Sequence, residues 1–227
     1  MNKLSVHYSY PTNRKDLLPQ LFLFLFLFLL SLPALTNTTN QNPETISTTD
    51  LTQFSAAPER VKKLINEALA LSSNNLGYQY ASADPKNGGM DCSGTIYYLL
   101  NSLGIKEVPR SSDLIYQWVW KKGFFNAVNG NQINGFEFSR LQPGDLLFWS
   151  GTYEIKREIN VTHVMIYLGK DKSGNHLMVG ASNGRTYKGR KIYGVSVFDF
   201  ILPPTGSTSR FLGYSCIPDI NCKNRKD

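Results

Sequence analysis

The chain has 227 residues, 41% of them hydrophobic, and a formal charge of +7. Setting aside an N-terminal targeting stretch leaves roughly 165 residues, enough for one domain with a real core, and no internal repeat is present. The charge suits anionic polymers such as cell-wall material, a membrane surface or nucleic acid, but the basic residues are scattered, only Lys223, Arg225 and Lys226 cluster, and a secretory N-terminus argues against nucleic acid as the partner.

Lys3, Arg14 and Lys15 lead into LFLFLFLFLLSLPAL, Leu21 to Leu35, a basic region followed by an apolar run and small or turn-forming residues. That run is shorter than the roughly 20 residues a membrane span needs, so residues 1–36 read as a secretory signal, with an uncleaved N-terminal anchor as the alternative and the only route to a membrane. No cysteine lies near its end, which excludes a lipoprotein-type modification. Residues 1–36 carry a net +2, leaving +5 on the remainder. Asn37 to Phe54, NTTNQNPETISTTDLTQF, has no periodicity and is too polar to bury a core. The chain thus divides into a signal (1–36), a polar linker (37–57), a folded domain (58–218) and a basic tail (219–227).

In the domain, Val61, Leu64, Ile65, Ala68 and Leu69 recur at helical spacing, and Pro58 to Leu71 is expected to be an amphipathic helix. Gly77 to Tyr80 is a short extended piece and Asp84 to Gly89 a turn. Met90 to Gly104, MDCSGTIYYLLNSLG, is a second helix with Ile96, Leu99, Leu100 and Leu103 on one face, Asp91 as N-cap and Gly104 as stop. Cys92 then sits in the first turn, where unpaired N–H groups and the helix dipole favour a thiolate. The plain alternative is a small buried cysteine beside a cap.

Pro109 to Trp120 can form a short helix capped by Ser111 or Ser112, and Lys121 to Arg140, rich in Gly and Asn, reads as a surface excursion. Leu141 to Asp145 is a turn before the strand Leu146 to Trp149, and Gly151 to Asn160 is a polar insertion. Val161 to Gly169 and His176 to Ser182 form a hairpin about the loop Lys170 to Asn175, with further strands at Gly194 to Phe200 and Phe211 to Ser215. Helices first and antiparallel strands after is the α+β order.

A cysteine hydrolase needs a base beside the thiol. Outside the targeting segment the chain has two histidines, His163 and His176. Cys216 and Cys222 could close a disulfide in an oxidising compartment or stay reduced. Cys92, His163 and His176 lack metal-ligand spacing, no phosphate loop is present, and no cofactor is expected. Gly180 to Gly184 spells G-x-S-x-G, but no histidine follows Ser182, which excludes an α/β-hydrolase.

Asp91-Cys92-Ser93-Gly94 at a helix start, Leu141 to Phe148 (LQPGDLLF) before a strand, and Thr162 to Gly169 (THVMIYLG) resemble, in order and spacing, the NlpC/P60 family of papain-like cysteine peptidases that cut peptidoglycan stem peptides. The resemblance spans roughly Pro58 to Ile217 and makes 58–218 the catalytic domain. It implies Cys92 as nucleophile, His163 as general base, Tyr78 lining the site, and Asp91 and Ser93 holding the substrate's amino end. It further implies an extracytoplasmic enzyme cutting the D-glutamyl to diamino acid bond. The family's third polar residue falls on Gly180, which has no side chain to orient an imidazole. In the hairpin His176 lies about 20 Å from His163 at roughly 3.3 Å per residue, whereas Ser182 falls opposite His163 and is the geometric candidate for the third member, a backbone carbonyl or a water being the alternative. The gap also admits a catalytically weak wall-binding protein, or a related amidase or acyltransferase.

Overall fold

Helical periodicity builds the first layer of the fold. In this computed structural model, which describes residues 42–223, α1 (Glu59–Ser72) buries Val61, Leu64, Ile65, Ala68 and Leu69, with Pro58 at its N-cap. Helix α2 (Cys92–Ser102) starts from Asp91 and buries Ile96, Leu99 and Leu100; Gly104, at φ 77°, ends the turn that follows. Helix α3 (Ser112–Lys121) buries Ile115 and Val119. The expected signal segment lies outside the described residues, among which no helix is long and apolar enough to cross a membrane.

The second layer is a six-stranded antiparallel sheet. Its strands are β3 (Phe125–Ala127), β4 (Leu146–Ser150), β5 (His163–Lys170), β6 (His176–Tyr187), β7 (Arg190–Asp199) and β8 (Arg210–Ser215), in the order β3-β8-β4-β5-β6-β7. A separate parallel pair joins β1 (Gly77–Tyr78) to β2 (Gly89–Met90). Helix α2 packs on β5 and β6, and α1 on β6 and β7. Every residue of β5 from His163 to Gly169 is buried, so the central strand reads in sequence as an unbroken apolar run rather than an alternation. Trp149, Phe138, Tyr167, Phe200 and Phe211 form an aromatic cluster with ring centroids 5.1 to 6.2 Å apart. The architecture is α+β, with N-terminal helices on an antiparallel sheet.

Four segments differ from the sequence reading. The stretch read as a polar linker lies on the domain in its described part: Leu51 is buried, Thr52 N–H donates to Lys170 O at 2.9 Å, Glu44 N–H donates to the Ser196 hydroxyl, and Glu44 O accepts from that hydroxyl and from Val197 N–H of the edge strand β7. It holds by covering unpaired strand edges with backbone groups, a role that leaves no periodicity in side chains. The presumed surface excursion contributes β3 and buries Phe138. The tail begins later than expected, because Ile220 and Cys222 are buried, Asn221 donates to Asp145 Oδ1 at 2.8 Å, and Cys216 and Cys222 form a disulfide. Finally, β6 and β7 continue past Ser182 as a hairpin paired out to Tyr187 and Arg190.

Helix α2 meets the 82–83 loop at closest approach. Asp91 N–H donates to Ser82 O at 3.0 Å, and a methyl group added at Gly94 would overlap that same carbonyl. Gly94→Ala, which would gain about 1 kcal/mol of helix propensity at an open site, is therefore expected to cost about 1–3 kcal/mol through overpacking. Urea unfolding of the two proteins measures the difference.

Candidate active site

Asp91 fixes the start of α2. Its Oδ1 accepts Gly94 N–H at 2.6 Å and the Ser93 hydroxyl at 3.2 Å, while Arg110 reaches both carboxylate oxygens at 3.1 and 2.9 Å and the Ser93 hydroxyl at 3.0 Å. A bidentate guanidinium holds a carboxylate in one plane, so the first turn bearing Cys92 is clamped. Cys92 itself is only 6% exposed, and its thiol lies 4.0 Å from Thr162 O at the entry to β5. The Val164 N–H also points at the sulfur, as do those of Ser93 and Cys92. The peptide groups on either side of His163 therefore contact Cys92 across the α2–β5 packing.

His163 is buried, pairs across the sheet with Trp149, and sets its ring 5.7 Å from that indole, edge to face. Its Nε2 has no hydrogen-bond partner. Arg185, from the unforeseen part of the β6–β7 hairpin, lays its guanidinium 4.2 Å over the Trp149 ring.

Burial dominates the protonation states. It pushes the Cys92 thiol up to about 11, with the Asp91 carboxylate adding to the rise and the three N–H groups opposing it. The resting thiolate expected from the sequence is thus overturned: the helix terminus acts in the expected direction, but removing the charge from water costs more. Burial and then the Arg185 charge hold the His163 imidazole well below its usual range. Arg185 is itself brought down to about 10 by burial, with the Cys92 side chain acting to raise it. Tyr78 stays a phenol, since burial and the neighbouring Cys92 and Asp91 raise it strongly. At neutral pH the pair is a thiol and a neutral imidazole.

Two cavities adjoin this pair and share Tyr78 and Tyr153 as walls. The first, about 240 Å³, is lined by Asp91, Cys92, Ser93 and Arg110, and the second, about 480 Å³, by His163, Ser182 and Arg185. The polar insertion 151–160 supplies Tyr153 and Ile155 to the first cavity and is anchored by Arg157, which binds Asp113 Oδ1 at 2.9 Å and the Val161 carbonyl. Among the described residues no group of three His, Cys, Asp or Glu side chains could hold a metal ion.

Tyr78, Asp91, Cys92 and Ser93 line the first cavity; His163 and Tyr78 line the second, and the peptide groups flanking His163 reach Cys92. His176 stands apart, its Nδ1 paired with the Tyr167 hydroxyl at 2.7 Å; a register shift between Tyr167 and Gly169 sets it opposite Lys170 rather than Gly169. The register Ile166 to Val179, continued along the strands, sets Ser182 opposite His163. The Ser182 hydroxyl accepts Arg185 N–H at 3.3 Å, and no hydrogen bond joins it to His163. At Gly180 an added Cβ would run into Met165 Sδ, so the methionine fills the volume a side chain there would need. Arg110, Tyr153 and Arg185 were not singled out from sequence. Arg110 reaches a carboxylate 19 residues earlier in the chain, a pairing with no local signature.

The NlpC/P60 family model matches residues 76–195, a span that includes Cys92, His163 and the third position. The chain belongs to the NlpC/P60 family. A solved structure described as similar to lipoprotein, NLP/P60 family, from Staphylococcus aureus is 22% identical over 79% of this chain, with a TM-score of 0.45, and the chain spans 45% of that protein. A search of curated proteins returns no match. Gly180, with Met165 packed over it, is the residue that departs from the NlpC/P60 pattern.

Proposed function

We propose that the protein is a cysteine endopeptidase of peptidoglycan stem peptides, cutting the D-glutamyl to diamino acid bond outside the cytoplasm. The observation that carries this reading is the seating of the Cys92 sulfur against the peptide groups flanking His163, with Cys92 lining one cavity and His163 the neighbouring one that shares Tyr78 and Tyr153 with it. Cys92 attacks the amide carbonyl as His163 takes its proton; His163 then gives that proton to the leaving amine, and water hydrolyses the thioester. Donors at the start of α2, the Cys92 N–H among them, stabilise the oxyanion as it forms. Asp91 and Ser93, on the cavity side away from His163, hold the amino end of the acyl part.

Packing against Trp149 sets the plane of the imidazole, and Ser182 Oγ, which spends one lone pair on Arg185, keeps a second for it. The secretory signal expected from the sequence of residues 1–36, and the Cys216–Cys222 disulfide, support an oxidising, extracytoplasmic compartment. The unpartnered His163 favours a second reading, a wall-binding protein on the same fold.

Incubating purified peptidoglycan and a defined muropeptide with the protein, followed by mass spectrometry, tests the choice. Products split between D-glutamate and the diamino acid are expected from the native chain and none from Cys92→Ala. Equal release by both proteins overturns the proposal.

A further inference from the structure

The charged groups around the two cavities are matched except for one. Beside Cys92, Arg110 is paired with Asp91 and Arg157 with Asp113. In the cavity on the His163 side, Arg185 is the only charged side chain among the described lining residues, and no carboxylate pairs with it. Its guanidinium is half-buried and stacked on Trp149, whose ring fixes its plane but offers no hydrogen-bond acceptor to its N–H groups. A guanidinium partly stripped of water and lacking an acceptor is poised for an oxyanion.

Chemistry decides which part of a substrate meets it. In acyl transfer from an amide, the imidazole that takes the thiol proton must return it to the leaving nitrogen, so the residue supplying that nitrogen lies on the His163 side of Cys92. This is the side on which Arg185 sits. We propose that Arg185 selects substrates whose leaving residue carries a carboxylate, binding that group bidentately in the cavity lined by His163, Ser182 and Arg185. The proposal rests on the peptidase reading and adds to it a determinant of specificity.

The wall facing this cavity agrees with that assignment. Ile201, Leu202, Pro203 and Pro204 supply apolar surface, and none of the described lining residues is acidic. A leaving residue with an aliphatic stem and one carboxylate would find both its parts accommodated. A leaving diamino acid whose side-chain ammonium has no carboxylate beside it would face an uncompensated arginine.

The test uses two peptides identical except that the leaving residue ends in a free carboxylate in one and a carboxamide in the other. For the native chain kcat/KM should favour the acid by about 10- to 100-fold, mostly through KM, the range expected of a charge-assisted pair. Arg185→Gln should bring the acid-to-amide ratio to about one, and Arg185→Lys should recover part of the preference. A ratio unchanged in Arg185→Gln, or an equal fall for both substrates, overturns the proposal and leaves Arg185 a packing partner of Trp149. Calorimetric binding of both peptides to Cys92→Ala, with and without Arg185→Gln, reads the same preference without turnover. Failure of the native chain to cut either peptide would therefore count against the peptidase reading, whereas equal binding of acid and amide would count against this one.

Discussion

His163→Ala is expected to lower kcat on a defined stem peptide by about 10³-fold, inside the 10²–10⁴ range of general acid–base catalysis. The size follows from the resting state. With the thiol held up to about 11 by burial and Asp91, the free enzyme holds only about one thiolate in 10⁴ at pH 7, so attack depends on a base that removes the proton during bond formation. The sulfur is seated against the peptide groups that flank His163, and the imidazole Nε2 spends no hydrogen bond elsewhere. Its pH signature separates it from an exposed histidine. Because burial and Arg185 lower its pKa, the imidazole stays neutral as pH falls through 6.5, and kcat/KM should be nearly the same at pH 6 as at pH 7. A histidine at the ordinary value of 6.5 would have lost about three-quarters of its base form by pH 6. The same lowering makes the unfolded chain bind a proton that the folded one refuses below pH 6.5, so stability should fall with acid in that window, and less steeply in His163→Ala. A variant retaining kcat within tenfold of native would remove His163 from the mechanism.

What the sequence made legible was whatever depends on local pattern. Asp91 and Gly104 mark the ends of the cysteine helix by their own chemistry, and the apolar spacing of Val61 to Leu69 specifies the face that α1 buries. Cys92 and His163 could be paired from residue type and position because few other thiols and imidazoles were available and each stood at the start of a readable element. The parts that could not be read rest on long-range pairing. Glu44 and Thr52 belong to the fold through backbone bonds to strands more than 100 residues away, and Phe125 becomes a strand only because β8 offers it an edge. The continuation of β6 and β7 from Asn183 to Lys191 is polar, NGRTYKGRK, and carries no alternation of buried and exposed residues to betray a hairpin. That stretch nevertheless delivers Arg185 to Trp149. Gly180 was legible as a departure, but not its reason, since Met165 reaches it only through the sheet register.

The reactivity of Cys92 toward iodoacetamide should rise about tenfold per pH unit from pH 7 to pH 10, roughly 10³-fold in all, with no plateau near the ordinary thiol value of 8.5. Two effects compete at the sulfur. The first turn of α2 and the Val164 N–H stabilise negative charge there. Against them stand near-complete burial and the Asp91 carboxylate, one residue away, whose position is dictated by its work as N-cap and as partner of Arg110. The measured profile reports which side wins. A curve still climbing at pH 10 means burial and Asp91 prevail, and the thiolate forms only as His163 accepts the proton. A plateau below pH 8.5 would mean the helix terminus prevails and a preformed thiolate attacks. Asp91→Asn sharpens the measurement: it keeps a side chain able to cap α2 while removing the charge, so the rate at pH 8 should rise. The same substitution leaves Arg110 without its carboxylate at the cavity wall, so substrate binding should weaken even as the thiol becomes more reactive, and the labelling rate and the affinity for substrate should move in opposite directions.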